Sequence, residues 1–274
     1  TIYGGTYAFL KNFTPRLAIQ TSFVDITNLE VVEAAITKNT KVLYCESVSN
    51  PLLEVADIKA LAALAKKYHL KLVVDNTFSP LSISPIQLGA DVVVHSLTKF
   101  INGSSDAVGG VVCGTQEFIN QLRSVIDGAS MLLGSTMDSL RASSVLKNLR
   151  TLHIRMKQHS FNAGYLATKF EADGVKTVYP GLESHPSHTL FTSMMNSEYG
   201  YGGMLTIDAG SLEKANLLME AMQHKNVGYL AVSLGFYKTL FSAPGSSTSS
   251  ETPEEEKEEM GLSDGLIRFS SGLD

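Results

Sequence analysis

The sequence predicts an α/β chain, with a mostly parallel sheet covered by helices and a smaller α+β unit after it. Three observations carry that expectation. Short Val-rich runs alternate with helix-period segments through the first half. The middle turns wholly helical, and the last third mixes strand-like runs with one amphipathic helix. At 274 residues the chain exceeds the usual single-domain size, so a division into residues 1–150 and 151–274 is expected.

In order, Leu17–Phe23 reads as a strand and Leu29–Ile36 as a helix. Lys41–Cys45 is a strand, Ala56–Tyr68 an amphipathic helix and Lys71–Val74 a strand. A short helix near Pro85–Leu88 precedes strands at Asp91–Val94 and Gly110–Cys113. Buried Val-rich strands joined by helices belong to parallel sheets covered on both faces, whose functional loops lie beyond the strands' carboxyl ends. Met137–Asp173 contains no Pro and one Gly, Gly164, and reads as one kinked helix or two. Strands follow at Thr177–Tyr179, Met204–Asp208, Ala231–Leu234 and Leu266–Ser270, with a helix at Leu212–Met222. Ser242–Ser250 reads as a loop, and the acidic run Thr252–Glu259 as a solvated helix start.

Composition narrows the function. Apolar residues make up 44% and charged residues 18%, which suits a well-buried globular chain. A net charge of −5 provides no basic field for nucleic acid. No apolar run is long enough to span a bilayer. Cys45 and Cys113 sit in strand-like runs and are expected to be buried free thiols, which points to a reducing, cytoplasmic setting. The chain opens at Thr1 on a Tyr-Gly-Gly turn and ends at Asp274 just past a strand, so both ends read as cuts in a longer product.

Chemistry-bearing residues gather at the expected strand ends. Asp75 closes Lys71-Leu-Val-Val-Asp75, and alone it reads first as a turn or cap aspartate. The strand at Asp91 runs into His95-Ser-Leu-Thr-Lys-Phe100, so Lys99 follows two hydroxyl residues, Ser96 and Thr98, and precedes the turn Gly103–Ser105. Hydroxyls and nearby backbone N–H groups can cradle a phosphate, and a lysine desolvated beside them gains an amine able to condense with an aldehyde. Pyridoxal-5′-phosphate (PLP) chemistry needs that set plus a carboxylate at the pyridine nitrogen. Asp75 and Lys99 lie one helix-containing crossover apart, a permissive spacing. Arg268, inside an apolar strand, is either a buried ion-pair member or a carboxylate clamp. Tyr3, beside two glycines, can lie flat on a planar ligand or be an ordinary turn aromatic. His185 and His188 have the spacing of a metal half-site but lack a partner at ligand spacing, so no metal is expected. Met194 and Met195 read as core.

Five segments carry a family resemblance: Tyr3-Gly-Gly-Thr-Tyr7, Glu46-Ser-Val-Ser-Asn-Pro51, Val73-Val-Asp-Asn-Thr77, Asp91-Val-Val-Val-His-Ser-Leu-Thr-Lys99 and Leu266-Ile-Arg-Phe-Ser-Ser-Gly-Leu273. In this order they resemble the PLP-dependent Cys/Met metabolism (trans-sulfuration) family. The resemblance implies a fold-type-I, aminotransferase-like architecture with a mostly parallel seven-stranded sheet and a small C-terminal domain, the N-terminal part lying outside this chain. It implies Lys99 as the Schiff-base lysine and proton shuttle, and Asp75 as partner of the pyridine nitrogen. Ser96 and Thr98 would contact phosphate, and Asn50 and Thr77 would lie near the 3′-oxygen and ring face. Tyr3 would stack on the ring and act as an acid toward the leaving group. Arg268, assisted by Ser233, would hold the substrate carboxylate.

Val232 is the discriminating position, since cystathionine-handling members typically carry glutamate there, and valine better suits a thioether methyl. Sulfhydrylases typically have Asn in place of Ser233. Tyr199-Gly-Tyr-Gly-Gly-Met204 and Pro244–Ser250 resemble the plant-type methionine γ-lyase branch. Departures from the microbial branch fall at Gly5, Asp127-Gly128 and Ser249. The implied activity is elimination of the γ-thiol of L-methionine to methanethiol, 2-oxobutanoate and ammonia. γ-Replacement on an O-acyl-homoserine, cystathionine lysis and a non-catalytic paralogue are the alternatives. The implied assembly is a homotetramer, a dimer of dimers with active sites shared across the dimer interface.

Overall fold

β1 (Val42–Glu46), β2 (Lys71–Asp75), β3 (Val92–Ser96) and β4 (Gly110–Cys113) form one sheet in that spatial order. The structure is a computed structural model and describes residues 2–246 and 262–274. β1, β2 and β3 run parallel, with Glu46 opposite Asp75 and Asp75 opposite Val94. β4 returns antiparallel, Gly110 opposite Ser96. Where the family sheet is expected to hold seven strands, the described residues contribute four.

Each parallel crossover is built by local signals. Ile58–Lys67 starts on Asp57, whose carboxylate accepts from the Ala60 N–H at 2.9 Å. Ile58, Leu61 and Ala65 repeat on one face and are buried, and each large apolar side chain contributes about 1.5–3 kcal/mol. Lys66 and Lys67 occupy the last turn, where cations suit the helix dipole. The second crossover uses a short 3-10 turn, Pro85–Leu88, closed by Gly89 at φ +104°.

The Met137–Asp173 stretch forms two helices. Ser139–Leu149 is capped by Asp138, and Leu152–Ala172 follows after a break at Arg150 and Thr151. The longer helix supplies Met156 to the core around the first sheet, and Ala163 and Ala167 to a second core.

The second sheet contains β5 (Thr177–Val178), β6 (Met204–Asp208), β7 (Tyr229–Leu230), β8 (Leu240–Ser242) and β9 (Leu266–Ser270), in the order β5-β6-β9-β8-β7. All pairs are antiparallel except β7 with β8. Ile267 and Phe269 of β9 enter the second core with Leu205 and Phe241. The two-residue period of a strand therefore turns Arg268 to the opposite face.

Several expectations are corrected. Leu17–Phe23 is not a strand: Thr14–Leu17 is a 3-10 turn ended by Ala18 at φ +57°. Pro15 sets that turn, and Phe23 packs on the Tyr7 ring at 5.0 Å between centroids. The Tyr3 glycines open a helix, Gly4–Ala8. The strand placed at Ala231–Leu234 lies earlier, at Tyr229–Leu230, because Ser233 at φ +98° breaks extended backbone. Ser242 belongs to β8, too short to show a period, and the helix His188–Met194 also lacked a sequence signal. Pro244–Ser246 is a 3-10 turn, while Ser249 and the acidic run Thr252–Glu259 lie outside the described residues. Cys45 is buried, but Cys113 is exposed because β4 is an edge strand. His185 and His188 are engaged with backbone, the former accepting from Ser187 N–H at 3.1 Å and the latter bonded to the Pro180 carbonyl at 2.9 Å. Among the described residues no group of side chains has the makings of a metal site, and no helix is long and apolar enough to cross a membrane.

Candidate active site

The carboxyl ends of β1, β2 and β3 place Glu46, Asp75 and Ser96 along one rim, where open α/β sheets bind ligands. Asp75 is fixed from two sides. Its Oδ1 accepts from the Thr77 N–H at 2.9 Å, and its Oδ2 from the Tyr44 hydroxyl at 3.3 Å. The Thr77 hydroxyl accepts from the Ser96 N–H at 2.9 Å, tying the β2 and β3 loops together.

After Ser96 the chain makes a tight turn, Leu97–Ile101, in which Lys99 departs from helical backbone at φ −93°, ψ −134°. That break swings Lys99 away from its neighbours, while Phe100 and Ile101 stay buried. The Lys99 Nζ donates to the Ser233 hydroxyl at 2.8 Å. Burial holds its pKa below the usual lysine value, and the Arg268 charge adds to the shift. The Thr98 hydroxyl is occupied by Gly109, accepting from its N–H at 3.1 Å and reaching its carbonyl at 3.4 Å. The Gly103–Ser105 turn is tied to the helix Ser139–Leu149. Its Ser104 hydroxyl accepts from Asn148 at 3.2 Å, on the helix behind.

Arg268 enters from β9, 2% exposed. It donates from Nη1 to Asn50 Oδ1 at 2.7 Å and from Nη2 to the Ser233 carbonyl at 3.0 Å. Burial lowers it to about 10, a shift that the nearby Tyr3 phenol opposes. Among the described residues no carboxylate is seen bonded to its guanidinium, whose partners are an amide and a carbonyl oxygen. Ser233 thus serves the lysine with its side chain and the arginine with its backbone. Tyr3 is 48% exposed, and its ring lies over Gly5, where an added Cβ would stand 2.7 Å from the ring. Val232 is 60% exposed and stands outside this network.

Sequence reasoning missed three supports. Arg155, buried in the long helix, caps the lysine turn by donating to the carbonyls of Phe100 and, at 2.8 Å, Ile101. Glu46 accepts from the Tyr3 N–H at 2.7 Å and the Asn50 N–H at 3.0 Å. Gly235, at φ +75°, presses on the lysine turn, and a Cβ there would lie 2.3 Å from the Phe100 nitrogen. Only the Gly235 contact had a visible signal, a lone glycine after an apolar run. Gly235→Ala should destabilise the protein by about 2 kcal/mol or more through backbone strain, read as a lowered urea midpoint.

The site offers a desolvated amine, an anchored carboxylate, a hydroxyl-bearing turn and a buried guanidinium bonded to neutral oxygens. That is the donor set of a PLP enzyme acting on amino acids. The chain belongs to the Cys/Met metabolism PLP-dependent enzyme family, whose model matches residues 1–274. It is 49% identical over 275 residues to the methionine gamma-lyase of Arabidopsis thaliana, covering 99% of this chain and 62% of that protein. The structure of cystathionine gamma-lyase from Lactobacillus plantarum, complexed with L-serine, matches at a TM-score of 0.91 and 32% identity, over 100% of this chain and 70% of that one. A putative O-acetylhomoserine (thiol)-lyase from Campylobacter jejuni, holding N′-pyridoxyl-lysine-5′-monophosphate, matches at a TM-score of 0.91 and 29% identity, over 100% of this chain and 72% of that one. The chain thus spans between about three fifths and three quarters of these relatives. The residues present fit PLP.

Proposed function

We propose that this chain carries the catalytic core of a PLP-dependent carbon–sulfur lyase that converts L-methionine and water to methanethiol, 2-oxobutanoate and ammonia. The observation that carries the reading is the Lys99–Ser233–Arg268 junction, which sets a desolvated amine beside a buried guanidinium whose bonds go to neutral oxygens. The 49% identity to a methionine gamma-lyase supports the choice of substrate.

Bound PLP supplies an electron sink for negative charge developing at the substrate's Cα. Asp75, held by Thr77 and Tyr44, keeps the ring nitrogen protonated. Ser96 and Thr98 would hold the phosphate, Thr98 by exchanging its Gly109 contacts, and Asn50 and Thr77 would hold the ring. Lys99 holds the cofactor, then takes the Cα proton as a free amine and moves protons along the substrate carbon chain. Arg268 and Ser233 fix the substrate carboxylate, and Tyr3 delivers a proton to the departing sulfur. Released methanethiol would carry that proton.

The test is product analysis on the full-length protein. 2-Oxobutanoate and methanethiol from methionine alone support elimination. A requirement for added sulfide with an O-acyl-homoserine would replace this reading with γ-replacement. Val232 sets the distal wall, and Val232→Glu should lower kcat/KM for methionine relative to cystathionine by about tenfold or more, measured by competition between the two substrates.

The wider organisation is part of the same proposal. Residues 1–150 form the cofactor-binding unit and 151–274 the smaller one, each with its own sheet. The exposed apolar side chains Val125, Ile126, Leu132, Leu133 and Leu140 are the kind of surface that assembly covers, which supports a homo-oligomer; its being a tetramer in the cytoplasm rests on the family resemblance alone.

A further inference from the structure

Glu46 closes β1 in register with Asp75, and its carboxyl is deeply buried. Burial, with the neighbouring Asp75 charge, pushes it up to about 8. A buried acid normally faces a cation or a string of side-chain donors. Here Oε1 accepts from the backbone of Tyr3 at 2.7 Å and Oε2 from the backbone of Asn50 at 3.0 Å.

These two bonds join otherwise separate parts of the site. Tyr3 caps a short helix, Gly4–Ala8, followed by the exposed residues Phe9, Phe13 and Leu17. Thr6 of that helix also lies near the Tyr44 hydroxyl of β1 and moderates the upward shift of its pKa. On the other side, Asn50 Oδ1 receives Arg268, Arg268 reaches the Ser233 carbonyl, and the Ser233 hydroxyl receives Lys99. An unbroken path of hydrogen bonds therefore runs from Tyr3 through Glu46 to Lys99.

We propose that Glu46 is a positioning residue whose two oxygens lock the Tyr3 helix to the Asn50–Arg268 clamp, so that one side chain sets where the tyrosine and the substrate carboxylate lie. The inference rests on the roles given above to Tyr3 and Arg268. Its physical basis is economy of motion: a side chain satisfied on both sides by backbone N–H groups resists displacement of either, and losing it leaves buried donors unpaired.

Glu46→Gln tests this with little change in volume. Its amide offers one accepting oxygen and one NH2, which cannot accept the second N–H. In full-length protein, amide hydrogen exchange read by mass spectrometry should speed up about tenfold both over residues 3–8 and around Asn50, with no change over 58–67. In holoenzyme, the KM for amino-acid substrate should rise about tenfold, and the visible circular dichroism of bound cofactor should change while its amount does not. Exchange that rises on one side alone, or unchanged exchange and dichroism with only a lower melting temperature, overturns the coupling. Glu46→Ala should enlarge every effect. If exchange is coupled but the wild type forms no 2-oxobutanoate from methionine, the substrate reading fails and the positioning role stands.

Discussion

Lys99→Ala in the full-length protein should abolish covalent attachment of the cofactor and lower turnover by at least about 10³-fold, the scale of a lost proton-transfer group. The expectation comes from where the amine sits. The non-helical backbone at Lys99 points it out of a turn otherwise held by Arg155, Gly235 and buried Phe100. Ser233 gives the amine one acceptor, and no carboxylate ion pair is seen to hold it charged among the described residues. Desolvation and the Arg268 charge both favour its neutral form. A neutral amine is the nucleophile and the base, so the site spends its burial where the chemistry needs it. Borohydride reduction followed by intact mass should show the cofactor retained on wild-type chain and lost on the variant. Equal retention in both would remove Lys99 from its role, whatever the activity. Because Lys99 makes one side-chain bond among the described residues, the variant should keep its melting temperature in the absence of cofactor, separating chemistry from folding.

Arg268→Leu should raise the KM for amino-acid substrate by about 10²–10³-fold, equivalent to roughly 3–4 kcal/mol of lost charge-assisted binding. The guanidinium is 2% exposed and spans two segments, Asn50 and Ser233. Leucine leaves both oxygens without their donor, at a cost of about 1–3 kcal/mol for each buried group, so the melting temperature should fall as well. Arg268→Lys separates the two effects. It keeps a positive charge but loses the planar fork, so KM should rise less than in the leucine variant. A second readout follows from electrostatics. Removing the like charge beside Lys99 raises the lysine pKa, so aldehyde modification of cofactor-free protein should require higher pH in Arg268→Leu than in wild type. No displacement of that profile would mean that the two groups do not share a site.

Much of this arrangement was legible in the residues. The parallel strands were visible because Lys71–Val74 and Asp91–Val94 are too short and too Val-rich for anything else, and their ends marked Asp75 and Lys99. Arg268 stood out because charge is rare inside a run like Leu266–Ser270. What escaped was whatever depends on backbone direction. Ser233 sits in a left-handed conformation that no pattern announces, so the strand at Ala231–Leu234 was misplaced, and with it the dual contact that makes this serine central. Glu46 was invisible as an individual because it pairs with N–H groups, which every residue possesses. Arg155 was hidden for a related reason: one more basic residue in a polar helix shows no sign that it points inward. Leu17–Phe23 failed because an apolar run predicts burial only when a partner exists to cover it, and Leu17 is 60% exposed.

The double duty of Ser233 has a bearing on how such a protein diversifies. Its neighbour Val232, proposed above to line the substrate, is exposed, and the carbonyl that Arg268 reaches begins the peptide after Ser233. A bulkier or charged outer residue that shifts the backbone at Ser233 would move the following peptide, whose oxygen steadies the guanidinium, together with the hydroxyl that steadies the amine. Altered selectivity and altered turnover should therefore arrive together in laboratory selections, and repair should map to the short stretch between this pair and Gly235.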